Sequence, residues 1–250
     1  MLNKLNNLII SFFLICISTI SLAQSKSLEY YKQGNIYARS HQYEKALEQY
    51  NLSIEEDVSF YKGYRNKGLL LSDMENNHEA VIVYDQAIML DDSDYRLFYN
   101  KGIALFKVEQ YQKALNSFNQ SINLKPNYDA AYSNKGAVLM KINQYQEAID
   151  NFNKAIELNP QSHEAYINKI CPLFRLKRYE ETLEVCDKVI ALEPNRHNIY
   201  EVHTNRATVL NKLERHKEAL ESAEIALKIM PNYELAMQAK KYAVQQLNKD

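Results

Sequence analysis

The chain has 250 residues, 46% of them hydrophobic and 24% charged, with 30 basic and 31 acidic side chains for a formal net charge of −1. That balance excludes a generic polyanion binder, which needs a strong basic excess, while the apolar share is enough for one or two cored domains. Only 5 Gly and 5 Pro exclude collagen, flexible linkers and turn-rich β-sandwiches, and leave long helices.

Residues 1–23 read as a secretory signal peptide. Lys4 is followed by an apolar stretch from Leu8 to Ile20 and then by Ser21-Leu22-Ala23, the order of n-region, h-region and small-residue cleavage site. Cleavage is expected after Ala23, which places the protein in the periplasm or outside the cell, with no stable membrane insertion afterwards. An uncleaved membrane anchor is the alternative, but it wants roughly 20 apolar residues, and this run is interrupted by Ser11, Ser18 and Thr19. Cys16 follows Ile15 rather than a small residue, which argues against lipid attachment. Losing residues 1–23 removes Lys4 alone and leaves 29 basic against 31 acidic groups, or −2.

From residue 27 onward the chain keeps one period. Tyr64-Arg65-Asn66-Lys67-Gly68, Phe98-Tyr99-Asn100-Lys101-Gly102, Tyr132-Ser133-Asn134-Lys135-Gly136 and Tyr166-Ile167-Asn168-Lys169-Ile170 each begin 34 residues after the last. Pro126, Pro160 and Pro194 step by 34, as do Ala46, Ala80, Ala114 and Ala148, and Pro231 follows after 37. Within a unit, apolar residues recur at spacings of three and four on two successive stretches, the mark of two short amphipathic helices. Neither is stable alone in water, so stacked units must bury one another's faces. Gly34, Gly68, Gly102 and Gly136 let paired helices approach, and Tyr50, Tyr84, Phe118 and Phe152 fill the space beside them. Pro after the second helix ends it, because Pro disfavours α geometry in the residue before it.

A 34-residue unit of aromatic, Gly, large apolar, Ala, aromatic and Pro resembles the tetratricopeptide repeat. The units are 27–60, 61–94, 95–128, 129–162, 163–196 and 200–233. The resemblance implies an all-α fold, a right-handed α-solenoid of six helix-turn-helix units, with 234–250 as a C-terminal capping helix on an apolar stripe of Leu235, Ala239, Tyr242 and Ala243. Unit 5 is the least regular. It has Ile170, Thr182 and Cys186 at the Gly, Ala and aromatic positions, and Pro172 inside its first helix should kink that helix or start it late. His197-Asn198-Ile199 is an insertion before unit 6.

No catalytic constellation survives this register. The six His residues are scattered, with His203 and His216 on repeat positions that are aromatic elsewhere, and no pair has a metal-ligand spacing. No cofactor, metal or nucleic-acid ligand is expected, and no enzymatic activity. Cys186 is expected as a small buried hydrophobe and Cys171 on another face, which argues against a disulfide.

What remains is a binding surface. The resemblance implies that partners, proteins or extended peptides, lie against the first helices of the units. The sixth position reads Asn66, Asn100, Asn134, Asn168 and Asn205 in units 2 to 6, with Lys32 in unit 1, and these Asn side chains either bridge a ligand's backbone or bond a neighbouring helix. The thirteenth reads Arg39, Asp73, Lys107, Lys141, Arg175 and Lys212. With Lys62, Arg65 and Arg96 this predicts a positive inner face over units 1 to 4, weakened further on by Glu164 and Glu201, and suited to acidic peptide segments. Tyr99, Ile103, Phe106, Met140, Ile167 and Phe174 supply apolar contact. A clamp for a C-terminal carboxylate is not expected, because Tyr31 and Asn100 replace two of its cations although Asn35, Asn66 and Arg96 match. The expected function is an exported, non-catalytic adaptor. The alternative is a self-assembling solenoid that grows from an N-terminal end left open by the absence of a helix before unit 1.

Overall fold

A computed structural model describes the backbone of residues 2–193 and 197–249, and the side chains of Thr19, 21–193 and 197–249. Pro194, the expected closing proline of unit 5, lies outside the described residues. All regular structure among them is helical, in two compact units, Met1–Leu124 and Lys125–Asp250. The first contains α1 (Leu2–Arg39), α2 (Tyr43–Glu56), α3 (Tyr61–Asp73), α4 (Asn77–Leu90), α5 (Tyr95–Lys107) and α6 (Tyr111–Leu124). The second contains α7 (Asp129–Lys141), α8 (Tyr145–Leu158), α9 (His163–Arg175), α10 (Tyr179–Leu192), α11 (Ile199–Lys212), α12 (His216–Ile229) and α13 (Glu234–Leu247). In each unit, odd-numbered and even-numbered helices alternate as antiparallel hairpins, the helical-repeat solenoid arrangement.

The hairpins are built on a size match. A Cβ added at Gly34 would lie 2.6 Å from the Tyr50 ring, and one at Gly68, Gly102 or Gly136 would lie 2.7 Å from Tyr84, Phe118 or Phe152. The missing side chain on the first helix is the space that the aromatic of the second fills, and Tyr84, Phe118 and Phe152 are fully buried. Farther on the match changes. Ile170 faces Cys186 in one core, and Ala207 meets Ala223 and Ala239 in another.

The turns between paired helices carry a feature that no residue type announces. His41, Glu75, Glu109, Asn143, Lys177 and Glu214, fifteenth in their units, all have φ between 56° and 62°. Each lets the next N–H reach back to the helix, as from Asn76 to the Leu71 carbonyl at 2.8 Å and from Gln110 to Leu105 at 2.9 Å. This is a Schellman ending, made here without glycine at a cost of about 1–2 kcal/mol per turn.

α1 runs unbroken from Leu2 to Arg39, so the first helix of unit 1 continues the segment expected to be cleaved. Two expectations are corrected. α9 begins at His163 and continues through Pro172 for 13 residues, with no late start. Ser162 caps it, and Pro172 is buried, so packing holds the helix past one missing N–H. α13 buries Ala236, Ala239 and Ala243, whereas Leu235 and Tyr242 are 55% and 48% exposed. Only alanine fits the close approach to α11 and α12, which turns the large residues outward. Both Cys171 and Cys186 are free thiols, one exposed and one buried. Burial pushes the Cys186 thiol up to about 12. Among the described residues no helix is long and apolar enough to cross a membrane.

Candidate functional site: the surface of the first helices

In the Met1–Leu124 unit, α1 and α3 enclose a pocket of about 300 Å³ lined by Tyr31, Asn35, Arg39, Asn66, Leu69 and Asp73 among others. Its polar wall is already satisfied internally. The Tyr50 hydroxyl donates to Asn35 Oδ1 at 2.8 Å, and Asn66 Nδ2 donates to Asn35 Oδ1 at 2.7 Å and to the Tyr31 hydroxyl at 3.2 Å. Asn66 therefore ties α3 to α1. Arg39 and Asp73 stand exposed on the rim, and partial desolvation of the Asp73 carboxyl raises it above its ordinary value.

Two of the cations expected to face a ligand are used within the fold. Asp94, 7% exposed, precedes α5 and accepts the Arg96 backbone N–H at 3.1 Å. Its two oxygens also take Arg96 Nε at 2.7 Å, Arg96 Nη2 at 2.9 Å and Arg65 Nη1 at 3.0 Å. Burial opposes the Asp94 charge, but the hydrogen bonds from Arg96 and Arg65 outweigh it and hold the carboxyl below its usual range. Asp94 therefore offsets Arg65 and Arg96 of the positive inner face expected over units 1 to 4, and in this unit Lys62 stays exposed with the row Arg39, Asp73 and Lys107. Tyr99 packs against Phe118 with ring centroids 6.0 Å apart, and Phe106 against Tyr111 at 5.9 Å. Asn100 and Ile103 are half-buried beside them.

The Lys125–Asp250 unit differs. Lys141, Arg175 and Lys212 close α7, α9 and α11, are exposed, and make no ion pair among the described residues. Glu164 and Glu201, expected to weaken this field, stand in the first turns of α9 and α11, roughly 16 Å away along each helix axis at 1.5 Å per residue. The cations and acids therefore occupy opposite edges. Asn134 Nδ2 donates to the Ala130 carbonyl of its own helix at 2.9 Å. Met140 and Asn168 are half-buried, and Phe174 packs against Tyr179 at 5.6 Å. Ile167, Cys171, Phe174, Arg175, Asn205 and Thr208 line a pocket of about 310 Å³. A second, of about 360 Å³, shares Asn205 and Thr208 and continues to Lys212, Leu235, Gln238 and Tyr242. The two form one groove along α9, α11 and α13. Asn211, buried, fixes its far wall by donating to the Ala239 carbonyl at 2.9 Å. The sequence reading missed Leu235, Gln238, Tyr242 and Thr208. The run of alanines at 236, 239 and 243 was the available signal for which face α13 buries.

Comparison with known proteins agrees with this architecture. Family models of the tetratricopeptide repeat match residues 61–94, 95–128 and 130–162. The chain carries tetratricopeptide repeats. Among solved structures, this repeat protein is similar to YrrB, described as a tetratricopeptide repeat protein with an unusual peptide-binding site, at 26% identity and a TM-score of 0.67, covering 77% of this chain and 97% of that one. MamA from Desulfovibrio magneticus RS-1 aligns at 25% identity and a TM-score of 0.64, covering 70% and 97%. Pseudomonas aeruginosa PilF aligns at 16% identity and a TM-score of 0.72 over 86% and 97%, a likeness of fold. A search of curated protein sequences gives no match. Tetratricopeptide repeats serve as protein–protein interaction scaffolds, and that is the class of function to which this chain belongs.

Proposed function

We propose that this repeat protein is an exported scaffold that holds an acidic segment of a partner protein in the groove along α9, α11 and α13. The observation that carries the reading is the uninterrupted row Lys141, Arg175 and Lys212 beside exposed Leu235 and Tyr242 and half-buried Phe174. Cations at helix C-termini contribute about 0.3–1 kcal/mol to their helices in any case, but three unpaired ones on α7, α9 and α11 also set up a field that speeds capture of acidic partners. Apolar and aromatic residues in the groove supply the desolvated anchors that an interface needs. The similarity to YrrB over nearly all of that protein supports peptide binding, and the signal-like residues 1–23 support export.

The test is crosslinking in the native envelope followed by mass spectrometry, with Lys141→Ala/Arg175→Ala/Lys212→Ala as control. Partners lost in the control, and lost from the wild type when ionic strength rises, are expected. Partners retained equally would remove the groove from consideration. The mass of the protein recovered from the envelope tests export separately: a chain beginning at Gln24 is expected, and a chain that keeps Met1 and stays in the cytosolic fraction would overturn it.

A further inference from the structure

The outer face of α2 is the reverse of the groove in charge. Glu44, Glu48 and Glu55 are exposed on it and make no ion pair among the described residues. The neighbouring charges are engaged elsewhere. Lys26 pairs with Glu56 at 3.7 Å, and Lys45 bonds Gln42 at 3.0 Å and lies over the Tyr37 ring. Leu47 and Leu52 share a shallow depression of about 380 Å³ with the three acids. In α4, the positions equivalent to Glu48 and Glu55 hold Ile82 and Met89, 59% and 87% exposed. The other units place Asn116, Asp150, Glu184 and Glu221 at the first of these positions, and Asn123, Glu157, Ala191 and Lys228 at the second. One face of the Met1–Leu124 unit thus carries an acidic row and, in the next hairpin, an exposed apolar row.

We propose that this face docks into the α9–α11–α13 groove of a second copy of the chain. This rests on the groove reading above and names one occupant for it. The spacings agree. Glu44 to Glu48 to Glu55 advance about 6 and 10 Å along α2 at 1.5 Å per residue, and cations carried one per helix on packed helices are about 8–10 Å apart, a mismatch that long Lys and Arg side chains absorb. The acids meet Lys141, Arg175 and Lys212, and the apolar residues beside them meet Phe174, Leu235 and Tyr242. A net charge of −1 leaves no long-range self-repulsion to oppose the approach. Because the two patches are different, the contact is heterologous, and association runs head to tail rather than stopping at a symmetric pair.

Sedimentation velocity of the purified chain over a concentration series tests this. The average mass is expected to rise with concentration at low salt, past the dimer, and to fall back toward the monomer when salt shortens the screening length to about 3–4 Å. Glu44→Lys/Glu48→Lys/Glu55→Lys and Lys141→Glu/Arg175→Glu/Lys212→Glu should each remain monomeric alone. Mixed, they should assemble again, since each reversed face then meets its opposite, which also shows that both variants are folded. A wild type that is monomeric throughout, or reversed variants that assemble as well as the wild type, would overturn the proposal. A labelled acidic amphipathic peptide separates this from the groove reading. If it binds the monomeric wild type and is lost from the groove-reversed variant, the groove reading stands and only the second copy is excluded; if it fails to bind, the groove reading falls too.

Discussion

The hairpin α5–α6 and the hairpin α9–α10 have the same length and register but solve packing differently. In the first, Gly102 leaves the space that Phe118 fills. In the second, Ile170 fills it from the opposite side and Cys186 stands where the ring would be. The first begins on a charged cap, Asp94, held by two arginines, and the second on a neutral one, Ser162, which accepts the Ala165 N–H at 3.4 Å. The first has Ala104 where the second has Pro172. The repeat therefore conserves the volume shared by two helices, and the helix that supplies the volume is free to change.

Five tests by substitution would break or sharpen this comparison. The largest effect is expected from Phe118→Ala, which empties a fully buried site and should cost about 3–5 kcal/mol in denaturant unfolding; a loss under 1 kcal/mol would show that the ring is not the centre of its hairpin. Pro172→Ala should raise stability, by up to about 3 kcal/mol, because it restores the N–H that the Asn168 carbonyl lacks. No gain would mean that α9 has already found another donor for that carbonyl.

Asp94→Asn should cost about 1.5–3 kcal/mol, the range for hydrogen bonds to a charged group, against about 1 kcal/mol for Ser162→Ala. The acid dependence differs as well. Asp94 titrates below its unfolded value, so its contribution is complete above the ordinary carboxylate range and is lost as pH falls through the lowered folded value. That loss should vanish in Asp94→Asn and be unchanged in Ser162→Ala, as thermal melts at descending pH would show. Cys186→Phe, which imports the aromatic of the other hairpin, should cost about 1–3 kcal/mol by overpacking against Ile170, and adding Ile170→Gly should recover part of it. The smallest effect is expected at the turns: Glu109→Gly and Lys177→Gly should each stabilise by up to about 1 kcal/mol, since glycine adopts positive φ without the side-chain penalty.

Much of the fold was legible because its causes are local or periodic. The 34-residue step of Gly, Ala and aromatic residues locates the hairpins, and the two units that lack that Gly–aromatic pair, with Ile170 and Cys186 in one and Ala207 and Ala223 in the other, are where the packing changes. The binding surface was legible only as register positions. That Lys107, Lys141, Arg175 and Lys212 lie exposed followed from their common position in the unit. That Arg65 is engaged did not, because its partner Asp94 lies 29 residues away and the sequence does not show which of several nearby acids a long flexible cation will meet. Asn66 was ambiguous for the same reason until Asn35 and Tyr31 were placed beside it.

Sequence alone therefore determined the helices, their pairing and the close Gly–aromatic packing, since hydrogen bonding along the chain and burial of a periodic apolar face are written residue by residue. Tertiary structure decided which charges remain free, which face of α13 is open, and that His, Glu, Asn and Lys adopt the left-handed turn. Those outcomes are set by neighbours distant in the chain, whose packing and electrostatics override the preference of any single residue.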